Sequence, residues 1–199
     1  LAIIVGLGAI AIAVSVFIGR YPQPCLMSPA LLWQDELAQR LVLHLRLPRI
    51  LLAFSMGMVL AAAGAVMQIM FRNPLVSSGF LGVSQGAAFG AALSILFIGR
   101  APIAIETSAA LFALLGLAIS YYLAWKIRYG DWVLRLVLAG IVTSALFSSG
   151  VGILKYLADP LSQLPDIVFW LMGGLWSVTW QDVLYTLPVA IPCLSVLLF

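Results

Sequence analysis

Between Arg49 and Arg72 the chain runs for twenty-two residues without a charged side chain. A helix needs roughly 20 apolar residues to cross a bilayer. Five other stretches have similar character, so six spans are expected at about 1–19, 50–71, 75–98, 103–125, 133–157 and 181–199. Composition agrees. Of the 199 residues 64% are hydrophobic and 9% charged, against roughly 25% charged in soluble domains. Too few charges remain to solvate a globular surface, so lipid must be the solvent for most of the chain. The expected fold is an all-α, polytopic membrane helical bundle, a single transmembrane domain over 1–199. The first and last runs are apolar to their ends, which gives the expectation of the N-terminal portion of a longer membrane protein.

Punctuation between the runs supports this division. The polar segment 20–47 holds Pro22, Pro24 and Pro29. Ser28 before Pro29 reads as an N-cap with proline at the first helical position, opening a helix over 28–45 that could lie along the membrane interface. Arg72-Asn73-Pro74-Leu75 is a breaker between two spans. Asp159-Pro160 ends the fifth span, because proline disfavours helical geometry in the residue before it. The run from Asp166 to Trp176 is interrupted by Gly173-Gly174 and is too short to cross, so it reads as a short helix or re-entrant piece held against protein. Pro188 and Pro192 should kink the last span.

Charge excludes several functions. The net charge of +3 comes from ten basic and seven acidic residues with no basic cluster, so nucleic-acid binding is not expected. His44 is the only histidine and has no second ligand beside it, so neither a metal site nor a cofactor is expected. Cys25 and Cys193 could pair in principle, but nothing in the sequence supports a disulfide. No paired catalytic arrangement and no phosphate-binding Gly-x-x-x-x-Gly-Lys loop is present, so the chain is not expected to be an enzyme. The positive-inside rule does not decide orientation by itself. The compact basic turn from Lys126 to Arg135 is taken as cytoplasmic, which leaves Arg46 and Arg49 outside.

Few polar residues remain within the spans: Gln68, Ser84, Gln85, Thr143, Ser144, Ser148 and Ser149. An ion-coupled secondary transporter, the alternative reading, would ordinarily carry a mid-span ionisable group. Thr143, Ser144 and Ser148 are candidates for a polar pathway or gate, although intramembrane hydroxyls commonly bond their own helix. Gly57 and Gly64 lie close to one helical face, and Gly82, Gly86 and Gly90 are spaced four apart. Small residues at that spacing let helices pack closely in lipid. Arg46 and Arg49 straddle Pro48, read as the first helical position of the second span. The dipole disfavours cations there. Two readings stand open, snorkelling into headgroups and docking of an acidic surface.

An ordered series of these residues resembles the FecCD-type permeases, the membrane subunits of binding-protein-dependent ABC importers for iron-siderophores, haem, cobalamin and related metal chelates. It runs Arg46-Leu47-Pro48-Arg49-Ile50-Leu51, Gly57, Ala63-Gly64-Ala65-Val66-Met67-Gln68, Arg72-Asn73-Pro74-Leu75-Val76 and Leu81-Gly82-Val83-Ser84-Gln85-Gly86-Ala87. It continues at Leu138-Ala139-Gly140 and at Trp170-Leu171-Met172-Gly173-Gly174-Leu175, so it covers essentially the whole chain. The resemblance implies a subunit of ten helices in a bacterial or archaeal cell membrane. It implies a second permease subunit, in a homo- or heterodimer, with cytoplasmic ABC ATPase subunits that bind the ATP. An extracytoplasmic substrate-binding protein delivers the chelate. Arg46 and Arg49 match the family's docking arginines, and Thr143 and Ser144 match a region near the pathway only approximately. Arg72, Asn73 and Pro74 form a signature turn. Val76-Ser77-Ser78-Gly79 departs from the family, which often has alanine and proline there. The family's main ATPase-contacting loop and second pathway helix fall beyond the six spans.

Overall fold

The computed structural model describes residues 2–19, 21, 27–74 and 76–198. Cys25 and the turn residue Leu75 lie outside the described residues. All regular elements described are helices: α1 (Ala2–Phe17), α2 (Leu31–Gln34), α3 (Glu36–Leu41), α4 (Leu47–Phe71), α5 (Val83–Leu93), α6 (Pro102–Lys126), α7 (Trp132–Leu157), α8 (Gln163–Met172) and α9 (Trp180–Leu198). The all-α membrane bundle is therefore observed. The chain divides into two compact units, Leu1–Ala62 with Leu175–Phe199, and Ala63–Gly174.

Among the described residues four helices are long and apolar enough to cross a membrane: Glu36–Phe71, Pro102–Lys126, Trp132–Leu157 and Trp180–Leu197. Two expected spans are shorter than read. Gly6–Phe17 and Val83–Ile98 fall below crossing length. The third span does not start at the signature turn, because a non-helical stretch reaches to Gly82, which takes a left-handed φ of 79°. In the first turn of α7 Asp131 accepts from the Leu134 N–H at 3.0 Å as its N-cap.

In the first unit the helix expected over 28–45 is broken. Ser28 does not cap it; α2 stops at Gln34, and extended Asp35 caps α3 by accepting from the Leu37 N–H at 3.0 Å. Nor does the second span begin at Pro48. α3 passes through a π turn (Val42–Arg46) directly into α4. The cause is Pro48 itself. Its ring would clash with the carbonyl four residues back, and it has no N–H to donate. The wider π turn relieves the clash, with the Leu47 N–H reaching Val42 O. The next carbonyl in that register, Leu43 O, would need the N–H that Pro48 lacks. The Trp180 indole donates to it instead, at 2.8 Å. Arg46 and Arg49 thus sit inside a continuous helix, and the dipole argument drawn from a helix start does not apply to them.

In the second unit the α5 backbone closes onto that of α6 at Gly86 and Gly90. A Cβ at Gly86 would overlap the Phe112 carbonyl oxygen and lie 3.0 Å from its carbon; one at Gly90 would overlap Ser108 O and lie 2.8 Å from Phe112 Cβ. The buried Ser108 hydroxyl donates to Gly90 O at 2.7 Å across this seam. Phe89, Phe112 and Phe147 close the middle of the unit, with centroids 5.2, 5.5 and 6.4 Å apart. Gly57 and Gly64 behave differently: among the described residues nothing beyond their own helix lies within 4 Å of a Cβ at either.

α4 ends in a Schellman motif at the signature turn. The Asn73 N–H reaches Gln68 O and the Arg72 N–H reaches Ile69 O, each at 3.2 Å. Arg72 occupies the left-handed position at φ 49°, which glycine usually fills. Pro74 then prevents the helix from resuming.

Candidate functional site

The non-helical stretch after this turn is held in place by the helices around it. Irregular backbone at membrane depth must be satisfied by protein. Here the buried Ser120 hydroxyl donates to Leu81 O at 2.8 Å. Two glycines let the neighbouring helices approach it. A Cβ at Gly116 would lie 2.7 Å from Gly82 O, and one at Gly140 would lie 2.8 Å from Phe80 O. Gly140 belongs to the Leu-Ala-Gly motif, so its place in the sequence pattern follows from a close backbone contact.

Beside this stretch lies an open hollow of about 380 Å³ lined by Ser77, Gly79, Phe80, Ser84, Gln85, Ile141 and Ser144. Its volume is in the range of small-molecule sites, roughly 300–1,000 Å³. Four of the lining side chains are neutral hydrogen-bonding groups and none is ionisable. Ser84 and Gln85 stand in the first turn of α5, whose leading N–H groups have no carbonyl partner within the helix and carry the positive end of its dipole. Gly79 matters for space, because a Cβ there would overlap Ser84 Oγ. The hollow can therefore offer donors and acceptors to a passing solute without binding a proton or an ion as a counter-charge.

The expected pathway residues separate. Ser144 lines the hollow. Thr143 does not: it is fully buried, donates to Ala139 O at 2.9 Å, and packs its methyl group against Gly82. Ser148 is exposed on α7 and is not among the lining residues. Gly82 does not share a helical face with Gly86 and Gly90, because it precedes α5 in a left-handed conformation. Ser77 and Gly79 were not singled out as site residues. Their signal was present, since they fall where the sequence departs from the family's alanine and proline.

The two arginines lie in the first unit. The Arg46 guanidinium is part-buried and donates to Val16 O at 2.7 Å and Tyr21 O at 2.9 Å. It ties the end of α1 to the π turn. Arg49 donates to Trp176 O, and its buried Nε has no partner among the described residues. Both arginines therefore hold backbone carbonyls from sequence-distant segments. Nearby, the Tyr21 hydroxyl donates to Asp35 Oδ2 at 2.6 Å. That bond, with the Leu37 N–H, holds the Asp35 carboxyl below its ordinary value of 3.8. A lowered carboxyl stabilises the fold above the unfolded value, and the effect is lost as pH falls through the lowered one. Tyr21→Phe should therefore melt below the parent protein at pH 7 and coincide with it in strong acid; an undiminished gap at low pH would contradict the bond's role.

Comparison with known proteins places this geometry. The FecCD transport family model matches residues 7–199. The molybdate import system permease protein MolB of Haemophilus influenzae is 37% identical over 196 residues, covering 95% of this chain and 58% of the relative. The hemin transport system permease protein HmuU of Yersinia pestis is 40% identical over 153 residues, covering 75% of this chain and 46% of the relative. The vitamin B12 import system permease protein BtuC of Vibrio cholerae is 37% identical, covering 83% of this chain and 49% of the relative. A metal-chelate type ABC transporter solved in an inward-facing conformation is 37% identical, with a TM-score of 0.84, over 96% of this chain and 58% of that one. The chain thus spans about half the length of the curated relatives it matches. With four helices of crossing length and membrane permeases as its relatives, it is a multi-pass membrane protein, and it belongs to the FecCD transport family.

Proposed function

We propose that this chain forms part of the permease subunit of an ATP-driven importer in a bacterial or archaeal cell membrane. Its substrate is a metal chelate of the iron-siderophore, haem or cobalamin class, or a metal oxyanion such as the molybdate named for one relative. An extracytoplasmic binding protein delivers the substrate, a second permease subunit completes the pathway, and cytoplasmic ATPase subunits bind and hydrolyse ATP. The chain itself performs no chemistry. The observation that carries this reading is the uncharged polar hollow on α5 and α7. A neutral surface lets a polar solute pass without trapping it, and it holds no ionisable group through which a proton gradient could be coupled. The driving force comes from the ATPase partner, which shifts the permease between outward-open and inward-open states.

Substrate uptake by cells carrying the full-length protein tests the reading. Inactivating the ATPase partner should abolish uptake, and brief treatment with an uncoupler should leave it. Ser144→Phe, which fills the hollow, should cut uptake by about tenfold or more, equivalent to about 1.4 kcal/mol on the barrier, at unchanged membrane abundance. Uptake that survives ATPase inactivation and collapses with the uncoupler would mean an ion-coupled transporter. Full uptake by Ser144→Phe would remove the hollow from the pathway.

A further inference from the structure

One short segment, residues 176–180, meets the π turn and the start of α4 twice. The Trp180 indole donates to Leu43 O at 2.8 Å, the carbonyl that Pro48 cannot serve. Four residues earlier, Trp176 O accepts from the Arg49 guanidinium. The two bonds run in opposite directions between 43–49 and 176–180, so each holds the other's partners in place. Apolar packing joins the same two segments. Leu52, three residues on from Arg49, is buried with Val178 and Val183.

Trp180 is itself firmly set. It is the first residue of α9, and the Asp182 carboxylate reaches back to accept from the Thr179 N–H at 2.7 Å and its hydroxyl at 3.0 Å. The two arginines depend on this segment unequally. Arg46 bonds Val16 O and Tyr21 O and takes its direction from them. Arg49 has one described acceptor, Trp176 O, and its buried Nε has none among the described residues. A guanidinium held through a single N–H points where that acceptor places it. Trp176 O lies where the start of α9 puts it, and the indole bond fixes that start against the π turn.

We propose, on the reading of Arg49 as a docking group, that Trp180 is a positioning residue for capture of the binding protein. Its indole pins the start of α9, Trp176 O follows, and the Arg49 charge is thereby presented in one direction to an acidic partner. A plain helix anchor is the competing role for Trp180. Positioning is favoured because the second bond of the pair ends on Arg49, which no other described acceptor orients.

Capture of the full-length protein by the immobilised, substrate-free binding protein of its transport system tests this, with melting temperatures measured beside it. Trp180→Phe keeps a ring and removes the N–H. Trp180→His loses the benzene half of the indole but keeps a donor, Nε2, at the matching ring position. Arg49→Gln should weaken capture by about fivefold, less than charge reversal would. Trp180→Phe should weaken it by about threefold in the parent and not at all in the Arg49→Gln background, since groups in one hydrogen-bond network are not additive. Trp180→His should melt lower than Trp180→Phe, having lost more packing, and yet capture nearly as well as the parent. A helix anchor would reverse that order. Unchanged capture by Trp180→Phe, an equal loss in both backgrounds, or histidine no better than phenylalanine overturns the proposal while leaving Arg49 as a docking group. Full capture by Arg49→Gln removes the docking reading and the proposal with it. Should Trp180→Phe fold poorly, 3-benzothienylalanine at that position, which keeps the bicyclic ring without the N–H, must show the same loss.

Discussion

Alanine at Gly90 is expected to destabilise the protein by about 1–3 kcal/mol, the usual cost of forcing one extra group into a packed seam. Alanine at Gly57 should be neutral or slightly stabilising. Both glycines lie inside apolar helices, so intrinsic helix propensity favours alanine at each by up to about 1 kcal/mol. What separates them is the neighbour. At Gly90 the added methyl overlaps Ser108 O, and Phe112 Cβ stands 2.8 Å away. Most of that obstacle is backbone, which cannot rotate aside, and moving it would also break the Ser108 bond to Gly90 O. Gly86 faces the Phe112 carbonyl in the same way and should behave like Gly90. At Gly57 and Gly64 no described residue beyond their own helix lies within 4 Å. For a chain of this size about 1 kcal/mol moves the melting temperature by about 2–4 °C. Thermal unfolding in detergent should therefore separate the two pairs clearly. Equal melting temperatures for Gly57→Ala and Gly90→Ala would contradict the packing described.

That contrast marks how far the sequence could be read. A spacing of four identifies small residues on one face, but does not say which face meets a partner. Gly86 and Gly90 meet α6, while Gly57 and Gly64 meet nothing described, and both pairs look alike in one dimension. Span composition located α4, α6, α7 and α9 well, because twenty apolar residues have few alternatives in lipid. The same reasoning overran α5. The small and apolar residues 76–82 were counted into the span with the run that follows, yet the chain there is held by Ser120, Gly116 and Gly140, which are thirty or more residues away. Likewise Pro48 looked like a helix start. The π turn that accommodates it, and the indole of Trp180 that satisfies Leu43 O, depend on contacts no local pattern encodes. The hollow was partly legible: Ser84, Gln85 and Ser144 stood out as polar residues in apolar runs, while Ser77 and Gly79 were visible only as a departure from the family's pattern.

Arg46→Glu should lower both stability and binding-protein docking, and the two losses can be told apart. The Arg46 guanidinium bridges Val16 O and Tyr21 O, two carbonyls five residues apart on a segment distant in sequence. A hydrogen bond to a charged group contributes about 1.5–3 kcal/mol, and a carboxylate in its place would face the same oxygens without a donor. Lysine keeps the charge but lacks the rigid fork that spans two acceptors. Arg46→Lys should therefore melt below the parent protein while largely retaining docking, if docking depends on positive charge at the outer face. Arg49 tests the charge more directly, since its observed bond is to one carbonyl, Trp176 O. Arg49→Glu should weaken capture by the immobilised binding protein by about tenfold, a change of about 1.4 kcal/mol, with a smaller loss of melting temperature than Arg46→Glu. Unchanged capture by the Arg46→Glu, Arg49→Glu double variant would leave the arginines as purely structural ties. An unchanged melting temperature for Arg46→Glu would remove the tie and leave docking alone. A fall in both, with lysine separating them at position 46, is the result expected of a side chain that positions the segments it bonds and lends them charge.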